Sequence, residues 1–175
     1  MLKKFGLGLL VLVVAYLAVA AFAPDHFRVE RSILVKAPPE RIFGLIDDFH
    51  AWERWSPWAH LDPAMKTVYS GAPAGAGAIY EWSGDKKVGR GRMEISAATP
   101  STAVTIKLDF LEPFESHNVT TFTLEPAGEA TTVRWSMEGP SPYLSRLIGV
   151  FASMDDMVGK DFSTGLAKLK DVAER

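Results

Sequence analysis

From Tyr80 onward, apolar and polar residues alternate. Tyr80 and Trp82 share one face of a period-2 pattern, as do Met93 and Ile95, then Val104, Ile106, Leu108 and Phe110. Phe122 and Leu124 continue the pattern, and Val133, Trp135 and Met137 close it. The intervening positions hold Arg92 and Glu94, Lys107 and Asp109, Arg134 and Glu138. Successive side chains of a strand point to opposite faces, so this pattern predicts antiparallel strands with one face buried and the other wet. Gly84-Asp85, Thr99-Pro100-Ser101, Leu111-Glu112-Pro113 and Pro126 to Glu129 supply turn chemistry between them. Upstream, Phe27, Val29, Ile33 and Val35 predict a further strand that ends at Ala37-Pro38-Pro39. Ile42, Phe43, Leu45 and Ile46 then form the apolar side of a short helix, and Ser70 to Gly77 reads as a connection.

Near the C-terminus the period changes. Ser141 suits an N-cap and Pro142 the first helical position. Leu144, Leu147, Ile148, Phe151, Met154, Val158, Phe162, Leu166 and Leu169 recur every three or four residues, which predicts one long amphipathic helix to about Ala173. The fold class is therefore α+β, a curved antiparallel β-sheet wrapped around a long C-terminal α-helix. A sheet bent around a helix leaves a concavity suited to a ligand. Gly149, Gly159 and Gly165 lie within that helix, and Gly89 and Gly91 lie on the inward register of the Met93 strand. Each either packs closely against a neighbour or leaves space unfilled.

The N-terminus follows neither period. Phe5 to Ala23 carry no charge and, as a helix, reach about 28 Å, close to the ~30 Å hydrocarbon core of a bilayer. Residues 1–24 are expected to form one N-terminal transmembrane helix, with a ligand-binding domain over 25–175. Ala18-Val19-Ala20 and Ala21-Phe22-Ala23 leave a cleaved signal peptide as the alternative. Lys3 and Lys4 favour a single-pass membrane protein with its N-terminus inside and its domain outside the cytoplasm, or secreted or periplasmic if cleaved. Arg28, Arg31 and Lys36 count the other way. The formal net charge is −2 without basic clusters, which argues against nucleic acid as a partner. The absence of cysteine excludes disulfides, thiol nucleophiles and cysteine metal sites.

Trp52, Trp55 and Trp58 stand three residues apart, and Ser56-Pro57 should end any helix near Trp55. They read either as core or as the rim of a cavity between sheet and helix. The inward register also carries Ser116, Asn118 and Thr120, and a buried Asn118 amide needs hydrogen-bond partners, from the protein or from a ligand.

Several further segments complete a resemblance. Trp55-Ser56-Pro57-Trp58, Leu61-Asp62-Pro63, Tyr80-Glu81-Trp82-Ser83-Gly84 and Val88-Gly89-Arg90-Gly91-Arg92-Met93 come first. Thr132 to Met137, Met154 to Phe162 and Gly165 to Lys170 follow in order. Over roughly residues 26 to 174 the chain resembles the polyketide cyclase/dehydrase and lipid-transport branch of the START-like (SRPBCC) superfamily. The resemblance implies a helix-grip fold and a deep apolar cavity for a lipid, polyketide or similar hydrophobic molecule. The lining would then comprise Trp55, Trp58, Tyr80, Trp82, Met93, Leu108, Phe110, Asn118, Trp135, Met154 and Phe162.

Catalytic motifs are sparse. There is no G-x-S-x-G elbow, P-loop or G-x-G-x-x-G, and His26, His50, His60 and His117 form no H-x-x-x-H pair. No cofactor and no metal are expected. His50 and His60 read as solvated loop residues, or as an acid or base beside the tryptophans. Asp47-Asp48 and Asp155-Asp156 read as solvated helix faces, and Glu81 as outward-pointing, or as a buried base if the register is reversed. A membrane-tethered binder of a hydrophobic small molecule is the leading expectation. A cyclase or aromatase is the second, and an interaction or stress-response module with a packed interior the third.

Overall fold

Alternation along the strands sets which face of the sheet meets the core, and the register carries that choice from strand to strand. The computed structural model describes residues 2–149 and 153–175, with side chains from Gly8 to Leu147, at Gly149 and from Ser153 onward. Helix α1 (Leu2–Phe22) leads into β1 (His26–Val35) and α2 (Pro39–Ile46), then a 3-10 turn over Phe49–Arg54. Strands β2 (Lys66–Gly71), β3 (Ala78–Ser83), β4 (Arg90–Thr99), β5 (Ala103–Glu112), β6 (Ser116–Ala127) and β7 (Ala130–Pro140) follow. Helices α3 (Tyr143–Gly149) and α4 (Met154–Ala173) complete the chain. The seven strands form one antiparallel sheet in the order β1-β7-β6-β5-β4-β3-β2.

The expected inward faces hold. Tyr80 pairs with Met93, Met93 with Leu108 and Leu108 with Asn118, so one row crosses four strands on the concave side. Ile95, Ile106, Phe122, Val133 and Trp135 are all buried. Outside, Arg92 pairs with Glu94 at 2.8 Å, Arg90 with Glu112 at 3.1 Å, and Arg28 with Glu138. Strand β2 occupies part of the segment expected to be a connection. All its residues are exposed, as befits an edge strand with no alternation of burial.

The expected single C-terminal helix is two helices. Ser153 starts α4 afresh: its hydroxyl accepts from the Asp156 amide, and the Asp156 carboxylate accepts from the Ser153 amide. Phe151, assigned to the apolar stripe, lies outside the described residues. Helix α4 buries Phe162, Leu166 and Leu169, worth about 1.5–3 kcal/mol each. Polar contacts clamp it to β1. The Arg31 guanidinium donates to both Asp155 oxygens at 2.7 and 2.9 Å, and Lys170 Nζ donates to the Leu34 carbonyl at 2.8 Å. Asp155 and Asp156 lie on a solvated helix face, as expected, and serve there as an ion-pair partner and a cap.

Two helix glycines have a local cause. A Cβ on Gly159 would lie 2.1 Å from Arg31 Nη2, and one on Gly165 would lie 2.8 Å from Trp135 Cζ3 and 3.1 Å from Pro57 Cδ. Both positions are bare because a neighbour occupies the space, so the unfilled-space reading is wrong for them.

At the other terminus, α1 packs on α3. Tyr16 Oη donates to the Leu147 carbonyl at 2.7 Å, and Arg146 Nη1 reaches the Ala21 and Ala23 carbonyls at 3.3 and 3.0 Å. A cation at a helix C-terminus satisfies carbonyls that have no intrahelical partner. Among the described residues no helix is long and apolar enough to cross a membrane. The expected transmembrane helix is thus not a finding of the fold. What the fold gives is a helix with Leu9 to Val14 all exposed.

Two outcomes follow for the residues 26–175 in thermal unfolding. Gly44, in α2, has nothing within 4 Å of an added Cβ, so Gly44→Ala should stabilise by about 0.5–1 kcal/mol. Gly165→Ala should instead destabilise, because crowding costs about 1–3 kcal/mol and outweighs the helix-propensity gain of ~1. Stabilisation by both would contradict the close packing. Separately, Arg31 holds the Asp155 carboxyl below its ordinary value, first through the hydrogen bond and then by charge. A depressed carboxylate stabilises the fold above its unfolded pKa and loses that effect as pH falls through its folded one. Asp155→Asn should therefore melt below the parent at neutral pH, with the gap closing in acid. A gap that persists unchanged in acid would remove the ion pair as its cause.

Candidate functional site

The interior between sheet and α4 is filled by rings. Trp135 stacks on Phe162 with centroids 4.1 Å apart and planes 7° from parallel, and on Phe122 at 4.8 Å. Trp55 meets Trp135 edge-on at 5.8 Å, and Trp52 lies 4.7 Å from Trp55. Each buried indole has a hydrogen-bond partner. Trp52 and Trp55 donate to the Ile46 and Leu45 carbonyls at 2.8 Å each, and so terminate α2, while Trp135 donates to Thr120 Oγ1 at 3.2 Å. The tryptophan segment is thus mainly core: Trp52 and Trp55 are buried, and Trp58 alone remains half-exposed.

Of the expected lining residues, Asn118 is a buried polar group and the other ten separate into three groups. Trp55, Met93, Trp135 and Phe162 are buried in the core. Trp58 and Met154 are half-exposed on the helical side. Tyr80, Trp82, Leu108 and Phe110 are half-exposed on the concave face of β3 and β5. Helix α4 packs chiefly over β1, while α2 and the 3-10 turn reach β5 and β3 and Phe49 lies 5.9 Å from Tyr80, so the third group forms a partly covered apolar shelf.

The shelf is rigidly built. Trp82 Nε1 donates to the Val88 carbonyl at 3.0 Å, and its ring lies over Gly91, where a Cβ would come within 2.3 Å of Cζ2. Phe110 meets Trp82 edge-on at 5.8 Å, and Tyr80 stacks beside it at 6.0 Å. Gly91 is bare to seat an indole, not to leave a void. At the β6 edge stands Asn118. Its Nδ2 donates to Ser116 Oγ at 3.1 Å, while its buried Oδ1 accepts no hydrogen bond among the described residues. Gly139 makes room for that oxygen, since a Cβ there would lie 2.0 Å from it and 2.9 Å from Phe27 Cε1. Gly139 and Phe27 were not singled out from sequence, although a glycine within a strand does signal close approach.

The shelf offers only neutral polar groups. Burial first, then the negative field of Tyr69 and Glu53, pushes the Tyr80 phenol up to about 12, so it stays protonated at neutral pH. Glu81 points outward and is exposed, as expected. His50 stacks on Tyr69 at 4.1 Å with Nδ1 2.9 Å from Asp48, and Tyr69 separates it from Tyr80, whose ring lies 5.3 Å from that of Tyr69. Among the described residues no His, Asp or Glu cluster could hold a metal ion. Two surface hollows lie elsewhere. One of about 200 Å³ sits between His50, Tyr69 and Ala72, and one of about 250 Å³ between Arg54, His60 and Lys168. Both fall below the ~300–1,000 Å³ of ordinary ligand pockets.

The architecture has known counterparts. A protein from Mesorhizobium loti superposes with a TM-score of 0.60 at 23% identity, over 85% of this chain and 100% of its own. One from Chromobacterium violaceum gives 0.59 at 17%, over 87% and 99%. DynU16, from the dynemicin biosynthetic locus, gives 0.56 at 18%, over 85% of this chain and 47% of its own. These likenesses establish the fold. No curated protein matches the chain. The family described as polyketide cyclase/dehydrase and lipid transport matches residues 26–174, the whole sheet together with α4. With its packed grip and open shelf, the chain belongs to that family.

Proposed function

We propose that the domain binds a hydrophobic small molecule on the shelf formed by Tyr80, Trp82, Leu108 and Phe110, without transforming it. The observation that carries this reading is the partly exposed apolar end of the concave face, where the Trp82 and Phe110 rings are fixed by the protein yet not buried. Pre-fixed rings bind an apolar guest at low entropic cost. Among the described residues Asn118 Oδ1, beside Gly139, is a buried acceptor without a hydrogen bond, and such an acceptor costs about 1–3 kcal/mol. A guest with a hydroxyl or N–H could repay that penalty. The family's lipid-transport description and the biosynthetic-locus relative agree with a lipid or polyketide as guest. A cyclase is the weaker reading, because the shelf supplies no carboxylate or imidazole as a proton carrier.

The exposed apolar surface of α1 supports a membrane tether as part of the same proposal. Lys3 and Lys4 fit an N-terminus inside the cytoplasm and a domain outside it.

The ring-filled interior favours a second reading, a packed module that holds no ligand. Residues 26–175 distinguish the two, since relatives of this domain fold as whole chains of that extent. Organic extraction with mass spectrometry should recover a co-purified apolar molecule, and the emptied protein should take up an apolar dye. Trp82→Ala should weaken dye binding about tenfold, the equivalent of ~1.4 kcal/mol of lost stacking, whereas Val68→Ala on the edge strand should not. No extracted molecule and no dye uptake would leave the packed module standing instead.

A further inference from the structure

The two ends of the sheet differ in a way that the shelf does not explain. At one end lie the turns β2–β3, β4–β5 and β6–β7, made of Ala72 to Gly77, Pro100 to Thr102 and Gly128-Glu129. None carries an exposed large apolar side chain. At the other end the register brings together the start of β1, the end of β7 and the turns β3–β4 and β5–β6, because His26 pairs with Pro140 and Arg90 with Glu112. Here Phe22 is 91% exposed, Phe114 81% and Leu144 67%. Lys86 and Lys87 stand exposed on the β3–β4 turn, and α1 leaves the domain at this end.

A large exposed side chain on one turn would mean little, but a one-ended set continuous with an apolar helix marks an interaction surface. Its occupant can be read from α1. Leu9, Leu10, Val11, Leu12, Val13 and Val14 are consecutive and all exposed. At 3.6 residues per turn they face every direction around the helix, whereas a protein groove covers only one side. An environment that is apolar all round is the interior of a bilayer.

We infer that this end of the domain rests on the lipid bilayer that α1 enters, with Phe114 at the tip of the β5–β6 turn and Leu144 of α3 dipping into the interface. Lys86 and Lys87 lie at headgroup level together with Asp85, Glu112 and Glu115, so the apolar side chains rather than net charge seat this end. The inference rests on the membrane-tether reading above and deepens it. Trp82 and Phe110, one row in from the same end, place the open side of the shelf next to the lipid. A guest drawn from the membrane would then reach the shelf without crossing water.

The chain has no cysteine, so single labels report cleanly. Full-length protein carrying an environment-sensitive fluorophore at Phe114→Cys, Leu12→Cys or Glu129→Cys is reconstituted into vesicles of phosphatidylcholine and phosphatidylglycerol containing brominated lipid. The label at 114 should shift to the blue and lose most of its emission, as should the one at 12, while the label at 129, on the opposite turn, should be unaffected. Quenching at 12 but not at 114 overturns the seated rim and leaves the tether intact. Quenching at 129 as strongly as at 114 also overturns it, since the domain would then lie without a preferred end. No quenching at 12 removes the tether, and the inference with it. Phe114 makes no core contact, so folding does not confound the result.

Discussion

The stack of Phe122, Trp135 and Phe162 is the contact on which the remaining architecture depends. It joins β6, β7 and α4 through parallel rings, and Trp55 closes it edge-on from the segment after the 3-10 turn. Every neighbouring feature accommodates it. Gly165 is bare so that α4 can approach the Trp135 ring, and Pro57 fills the other side. The indole nitrogens of Trp52 and Trp55 end α2 while their rings extend the stack. Arg31 and Asp155 then fix the start of α4 along β1, with Gly159 leaving room for the guanidinium. The grip of α4 is therefore confined to β1 and β7, while α2 and the 3-10 turn cover Ile95 and Ile106, which leaves only the Trp82–Phe110 end of β3 to β5 partly exposed.

That division of the concave face ties the fold to function. Aromatic mass spent on gripping the helix cannot also line a chamber, so a guest is confined to the part of the sheet that α4 does not cover. Trp82 and Phe110 belong to that part, and the same sheet end carries α1. Packing, shelf and the one-ended apolar turns form a single spatial argument, and each constrains the others.

Much of this was legible in the sequence, for a physical reason. A half-buried strand must alternate, so the inward faces of β3 to β7, the inward Asn118 and the outward Glu81 follow from period alone. The edge strand β2 was not legible because a strand exposed on both faces has no alternation to detect. The break before α4 was hidden because Leu147, Met154 and Val158 keep helical spacing across it. Only the Ser153-x-x-Asp156 capping box signals the restart. The glycines misled most. A missing Cβ shows that space is needed at a position, but not whether a neighbouring ring or a guest fills it. At Gly91, Gly159 and Gly165 the neighbour does.

The five tryptophans offer the most direct test of a filled interior with an open shelf. Their indole N–H signals form a small, resolvable set in a nitrogen-labelled domain titrated with an apolar ligand such as a long-chain alcohol. The signals of Trp82 and Trp58 should move and saturate together, while those of Trp52, Trp55 and Trp135 stay fixed behind their hydrogen bonds. Large shifts at Trp55 and Trp135 would instead place the guest among the gripping rings and contradict the packed interior.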